Sequence, residues 1–157
     1  MAKNACYLHK AQAVWTVGPI DTLTWQTPKT NWTAQDSFLL RTDAARICGN
    51  LAFLAANAKP FYPDVAQCNQ EAYTIQDWAN APFWNGMTDA LLALEQATAW
   101  QTELPRRVAE NGPVWTAADA NRIESGIATI AQNLQAQQKN LPRLGITLGG
   151  GFFATNF

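Results

Sequence analysis

The side chains that could do chemistry are few and scattered. His9 is the only histidine in the 157-residue chain. A Ser-His-Asp or Cys-His arrangement would have to be built on it, and nothing around it marks a catalytic centre. The cysteines, Cys6, Cys48 and Cys68, are odd in number and include no C-x-x-C pair. That argues against a disulfide or zinc framework and for synthesis in a reducing compartment. Cys48 falls inside a helical pattern and reads as a small buried hydrophobe. Asp119 and Glu124 could suggest an acid/base pair, but five residues apart they occupy different faces of one helix. Gly149-Gly150-Gly151 follows a strand-like "GITL", yet no helix comes after it to aim an N-terminus at a phosphate. These residues call for no catalytic centre, no cofactor and no metal.

Charge excludes another class. Eleven Lys plus Arg against twelve Asp plus Glu give a net charge of −1, and the densest basic cluster is only Arg106-Arg107. That dipeptide reads as a solvated loop, not a nucleic-acid stripe. Charged residues make up 15% of the chain, below the usual quarter, while 48% are hydrophobic. Such a balance supplies one packed domain or a few small helical units, with part of the surface covered by other copies of the chain. The first residues, "MAKNACYLHK", lack the apolar centre of a signal peptide, and no run reaches the ~18 apolar residues of a membrane span.

The elements that position these residues follow a loose threefold repeat. "WTAQD" begins at Trp32, "YTIQD" at Tyr73 and "WTAAD" at Trp115. Each has the form of a helix start: Thr33, Thr74 and Thr116 cap with their hydroxyls. Asp36, Asp77 and Asp119, three residues on, meet the exposed amides and the positive end of the helix dipole. Behind each start runs an apolar stripe in steps of four, three and four. The stripes are Ile47, Leu51, Leu54, Ala58; then Met87, Leu91, Leu94, Thr98; then Ile123, Ile127, Ile130, Leu134. In the first copy Thr42 offers a fresh cap before Asp43, and in the second Pro82 interrupts helix. Each of those copies therefore reads as a short helix or turn followed by a longer helix. Asp43/Arg46 and Asp119/Arg122 recur at one phase as i, i+3 pairs, read as local ion pairs on an exposed helix. Trp32, Trp78, Trp84 and Trp115 stand at or near helix starts, where large rings fill joints.

The expected fold is mostly α. Three short helical repeats (helix-turn-helix units) occupy 31–60, 72–100 and 114–140 of a domain at 31–140. An extended, β-like N-terminal segment covers 1–30 and an extended apolar tail covers 141–157. The breakers "AKPFYPD" and "ENGPVW" separate the units. The apolar, unhelical ends are the expected contact surfaces: Trp15 and Trp25 at the start, and Leu144, Ile146, Leu148, Phe152 and Phe153 at the close.

Taken in order, "WQTPKTNWTAQDSFLLRTDAARICGNLAFL", "YTIQDWANAPFWNGMTDALLALE" and "GPVWTAADANRIESGIATIAQNL" resemble small structural proteins of tailed bacteriophages and prophages of Gram-positive hosts. That family carries a PKT-[DN]-W segment, repeated N-R-I-[EK] helices and often a PRLG ending. The matching residues here are Pro28–Trp32, Asp119–Glu124 and Pro142–Gly145, and the resemblance spans about residues 22 to 150. The first copy departs from it with Ala45-Arg46-Ile47-Cys48, and the second keeps only Asn85. The resemblance implies a non-enzymatic virion component made in the host cytoplasm and placed in the tail, baseplate or fibre-attachment region. Its partners would be other copies of itself, in a threefold or sixfold ring, and neighbouring tail proteins, with no nucleic acid and no membrane insertion. Two other readings stay open: a glycan- or receptor-binding module of a tail fibre, with exposed tryptophans as its platform, and a cellular helical adaptor.

Overall fold

A computed structural model describes residues 25–66 and 81–152, with the backbone alone at 40, 41 and 140–152. The described chain is mostly helical, with no strand among these residues. A π-helical turn, Leu40–Ala44, leads into α1, Ala45–Ala58; α2 spans Ala81–Thr98 and α3 spans Ala117–Phe152. The three α-helices all pack on one another.

The stripes explain why. All twelve stripe residues are buried, with Ile47, Ala58, Leu91, Ile123, Ile127 and Ile130 completely so. A helix that hides one apolar face gains about 25 cal/mol for each Å² of apolar surface removed from water. Three such faces meeting together leave none of them wet. Cys48 lies in the same core. Gly126 allows a close approach: a Cβ there would sit 2.7 Å from Leu91 Cδ2 and 2.9 Å from Thr102 Oγ1.

Helix starts depart in part from the expected scheme. Thr116 and Asp119 do cap α3. The Asp119 carboxylate accepts from the Thr116 amide (3.0 Å) and hydroxyl (2.8 Å), and the Thr116 Oγ1 accepts from the Asp119 amide at 3.4 Å. Thr33 and Asp36 make the same contacts, with the amide at 2.7 Å and the hydroxyl at 2.8 Å, but close only a turn, and helix begins at Leu40. The reason lies in Phe38, whose ring stacks on Trp32 and leans on Trp84, holding the chain extended up to Leu39. The helical start is then met by Asp43, whose carboxylate accepts the Leu39 amide at 2.7 Å, not by Thr42. Pro82 is the second residue of α2, and the short helix or turn expected before it lies outside the described residues. It lies in the first turn of the described helix, where its missing N–H leaves no bond unmade. Thr74 and Asp77 lie outside the described residues.

The C-terminal segment expected to be extended is helical through Phe152. Gly, Pro and β-branched residues lower helix propensity there, but starting a helix is the costly step. A helix already formed over Ala117 to Asn140 gains one bond for each residue added. Pro142 removes one backbone donor without ending it. The helix therefore carries Leu144, Ile146, Leu148 and Phe152, while Phe153 and Trp15 lie outside the described residues.

Candidate functional site

The extended chain before α1 is held by side chains of the helices rather than by a partner strand. Asn121 on α3 grips Trp32 by both main-chain groups: the Trp32 amide donates to Asn121 Oδ1 at 2.8 Å, and Asn121 Nδ2 donates to the Trp32 carbonyl at 3.0 Å. Asn50 on α1 does the same to Gln26, at 2.9 and 2.7 Å. Asn85 on α2 does it to Val108, at 2.8 and 2.9 Å. An asparagine amide offers an acceptor and a donor side by side, so it can replace a neighbouring strand for one residue. Three of them fix two extended straps across the helix faces.

Charged groups finish the attachment. Glu124 has a fully buried side chain. Its Oε1 accepts from Arg46 Nη2 at 2.5 Å and Nε at 3.1 Å, and its Oε2 accepts the Lys29 amide at 3.1 Å. Arg46 also meets Asp43 at 2.9 Å. One carboxylate therefore joins α1, α3 and the first strap. Burial pushes the Glu124 carboxyl above its ordinary range, against the opposing pull of Arg46 and the Lys29 amide. Burial alone would lower the Arg46 guanidinium, but Glu124 and Asp43 raise it.

The two described Trp-Thr-x-x-Asp copies share a further part. Asp36 Oδ1 accepts from Lys29 Nζ at 2.5 Å. Asp119 accepts the Arg106 amide at 3.0 Å and Arg106 Nε at 2.9 Å. Lys29 follows Pro28 and Arg106 follows Pro105. A Pro-basic dipeptide thus supplies the cation for each turn. Arg106 also donates to the carbonyls of Pro113 and Val114, just before α3. The Asp36 carboxyl is held at about 2, chiefly by Lys29 and then by the Thr33 hydroxyl and amide. Asp119 is raised by burial, but the amides of Thr116 and Arg106, with their side chains, bring it below its ordinary value.

An aromatic chain backs both turns: Trp32 to Phe38 at 5.7 Å, Phe38 to Trp84 at 5.1 Å and Trp84 to Trp115 at 5.1 Å between centroids. The rings of Trp32, Trp84 and Trp115 are core, as their places at helix joints suggested. Trp25 is 36% exposed with its ring 5.8 Å from Phe53. Trp78, His9, Cys6 and Cys68 lie outside the described residues.

Several expectations change. The Asp43/Arg46 pair is part of a buried network, because Arg46 turns inward to Glu124. Arg122 stands 3.4 Å from Asp119 and 3.7 Å from Glu103 on the surface, while the shorter bond to Asp119 comes from Arg106. Arg106 is no solvated loop residue, and Arg107 pairs with Asp89. The asparagines and Glu124 were missed as attachment points. The one available signal was phase: Asn85 and Asn121 each stand two residues before the first residue of a stripe, Met87 and Ile123. Among the described residues no cluster of three or more His, Cys, Asp or Glu could hold a metal ion. No described helix is long and apolar enough to cross a membrane. Comparisons with protein-family models, curated proteins and solved structures found no match.

Proposed function

We propose that the protein is a structural subunit of a bacteriophage virion, in the tail, baseplate or fibre-attachment region, acting through contacts and not through catalysis. The observation that carries an assembly role is the length of α3. It has 36 residues against 18 in α2 and 14 in α1. At about 1.5 Å per residue it is roughly twice as long as α2. Among the residues of α3 whose side chains are described, the last buried one is Leu134, and the last bond to the body joins Gln137 to the Tyr62 hydroxyl at 2.9 Å.

Beyond that bond the helix continues through an apolar stretch, Leu141 to Phe152, whose composition suits packing against a partner. The leucines at 141, 144 and 148 follow in steps of three and four. That spacing suits a helical seam between copies. Leu144, Ile146, Leu148 and Phe152 are the contact candidates there, and Trp25 at the opposite end is another. Cyclic assembly into a threefold or sixfold ring with neighbouring tail proteins fits this reading. The resemblance of the Pro28–Trp32, Asp119–Glu124 and Pro142–Gly145 motifs supports the virion setting.

The test is mass spectrometry of purified, induced phage particles with gold labelling of intact virions. Labelling at the tail, with peptides in whole-number ratio to a tail protein, is the expected result. Complete particles lacking the protein would overturn the proposal. Light scattering on the chain cut after Asn140 tests the assembly element separately: helical signal should persist while the oligomer is lost.

A further inference from the structure

From position 125 to 157 the sequence holds no acidic residue, and its only charged residues there are Lys139 and Arg143. Most of that stretch is α3, which runs to Phe152. The distal part of this helix is therefore positive, on a chain whose net charge is −1.

Helical phase sorts its residues into faces. Leu141, Leu144, Leu148 and Phe152 follow in steps of three, four and four, which places them on one face. Lys139, Arg143, Ile146 and Gly150 follow in steps of four, three and four, on the opposite face. The two cations come first along that face, and no charge follows them. From 144 to 152 every position is Leu, Gly, Ile, Thr or Phe. That run makes about two and a half turns, so the uncharged composition surrounds the helix. Just before it, Gln135, Gln138 and Lys139 are all exposed. Polarity thus changes abruptly at Arg143.

A helix with no charge on any side belongs in a packed interior or in lipid. A seam between copies buries one stripe, the leucines, and leaves the face of Ile146 and Gly150 outside it. A protein socket would have to enclose every side of the helix and also supply acids at its rim. An anionic lipid surface meets both demands without a preformed shape: acyl chains surround the uncharged end, and headgroups meet the cations at its border. Length sets the depth. From Arg143 to Phe152 the rise is about 14 Å at about 1.5 Å per residue, roughly half of a ~30 Å hydrocarbon core. Such a run enters one leaflet without crossing, and no described helix is long and apolar enough to cross.

We infer that the distal end of α3 seats in one leaflet of an anionic lipid surface, with Lys139 and Arg143 at headgroup level and residues 144–152 below them. The leucine face can pair copies while the opposite face meets lipid, so this seating does not depend on the virion reading.

The experiment floats the full chain through a density gradient with vesicles of phosphatidylcholine, either alone or with about one-third phosphatidylglycerol. The chain should rise with the anionic vesicles and stay largely behind with phosphatidylcholine alone. One cation near such a surface is worth about fivefold in partition, so Lys139→Gln with Arg143→Gln should weaken flotation by about tenfold or more. Ile146→Asp places a charge inside the uncharged run and should abolish flotation with unchanged helical circular dichroism. Equal flotation with both vesicle types would overturn the inference, as would no flotation with either, or unchanged flotation of both variants. Light scattering without lipid separates the two readings. A chain that oligomerises but does not float removes the lipid seating alone, and one that floats as a monomer removes the seam between copies alone.

Discussion

Arg46 on α1 reaches Glu124 on α3 at 2.5 Å, and the Glu124 side chain is wholly buried. Removing one member of such a pair leaves the other charge without compensation, so Arg46→Ala should cost about 3–5 kcal/mol. Replacing both by apolar residues of similar volume should cost much less. Urea titration of the two single variants and the double variant checks this, and additive losses would contradict it.

The same pair sets a pH dependence. Burial raises the Glu124 carboxyl, so the folded state holds this proton more tightly than the unfolded chain does. The contribution of such a group is fullest below the unfolded value of 4.5 and is lost as pH rises through the folded value. Arg46 opposes that loss. Without Arg46 the carboxyl rises further, so the deficit of Arg46→Ala should be smaller at about pH 5 than at about pH 8. Equal deficits in thermal melts at the two values would show that Glu124 does not titrate there.

The two Thr-x-x-Asp turns should respond unequally to the same change. Asp119 is 1% exposed and accepts bonds from Thr116, Arg106 and Arg122. Asp119→Ala removes a helix cap and leaves Arg106 without its carboxylate partner, for about 2–4 kcal/mol. Asp36→Ala removes an exposed turn bond and should fall within the scatter of surface substitutions. The signs with pH agree: both carboxyls are lowered, so both stabilise above their unfolded value and lose this as pH falls, Asp36 near 2. Chemical denaturation of the two variants side by side measures the difference, and equal losses would refute it.

What was legible in the sequence had a period. The stripes through Leu51, Leu91 and Ile127 became the core because each is a single helical face, and the Thr116–Asp119 cap depends on residues three apart. The attachments are different in kind. Asn121 meets Trp32 across 89 positions and Arg46 meets Glu124 across 78, and no local spacing encodes either distance. The Thr33–Asp36 turn shows the same limit: its local bonds formed as expected, but packing of Phe38 between Trp32 and Trp84 decided that no helix followed. The tail was misread for a related reason, since propensity was weighed where continuation of a formed helix prevailed.

Asn121 gives the strap a specific vulnerability. Asn121→Ala strips both main-chain partners from Trp32, and two lost bonds at a half-buried site amount to about 1–3 kcal/mol. The loss should concentrate locally: amide exchange should quicken at Trp32 and Thr33 well before it changes along α2. Uniform acceleration through all three helices would mean that the strap unfolds only with the whole protein.

Gly126 separates propensity from packing. Alanine is the better helix former by about 1 kcal/mol, so on an exposed face Gly→Ala would stabilise α3. At this position the new methyl would meet Leu91 Cδ2 at 2.7 Å and Thr102 Oγ1 at 2.9 Å. Leu91 is fully buried in the contact of α2 with α3, and the Thr102 hydroxyl and amide are tied to Glu95. Neither neighbour moves without breaking other contacts, and overpacking of this kind costs about 1–3 kcal/mol. The expected balance is a net destabilisation. A melting temperature for Gly126→Ala at or above that of the parent chain would show that α3 can shift away from α2 at little cost.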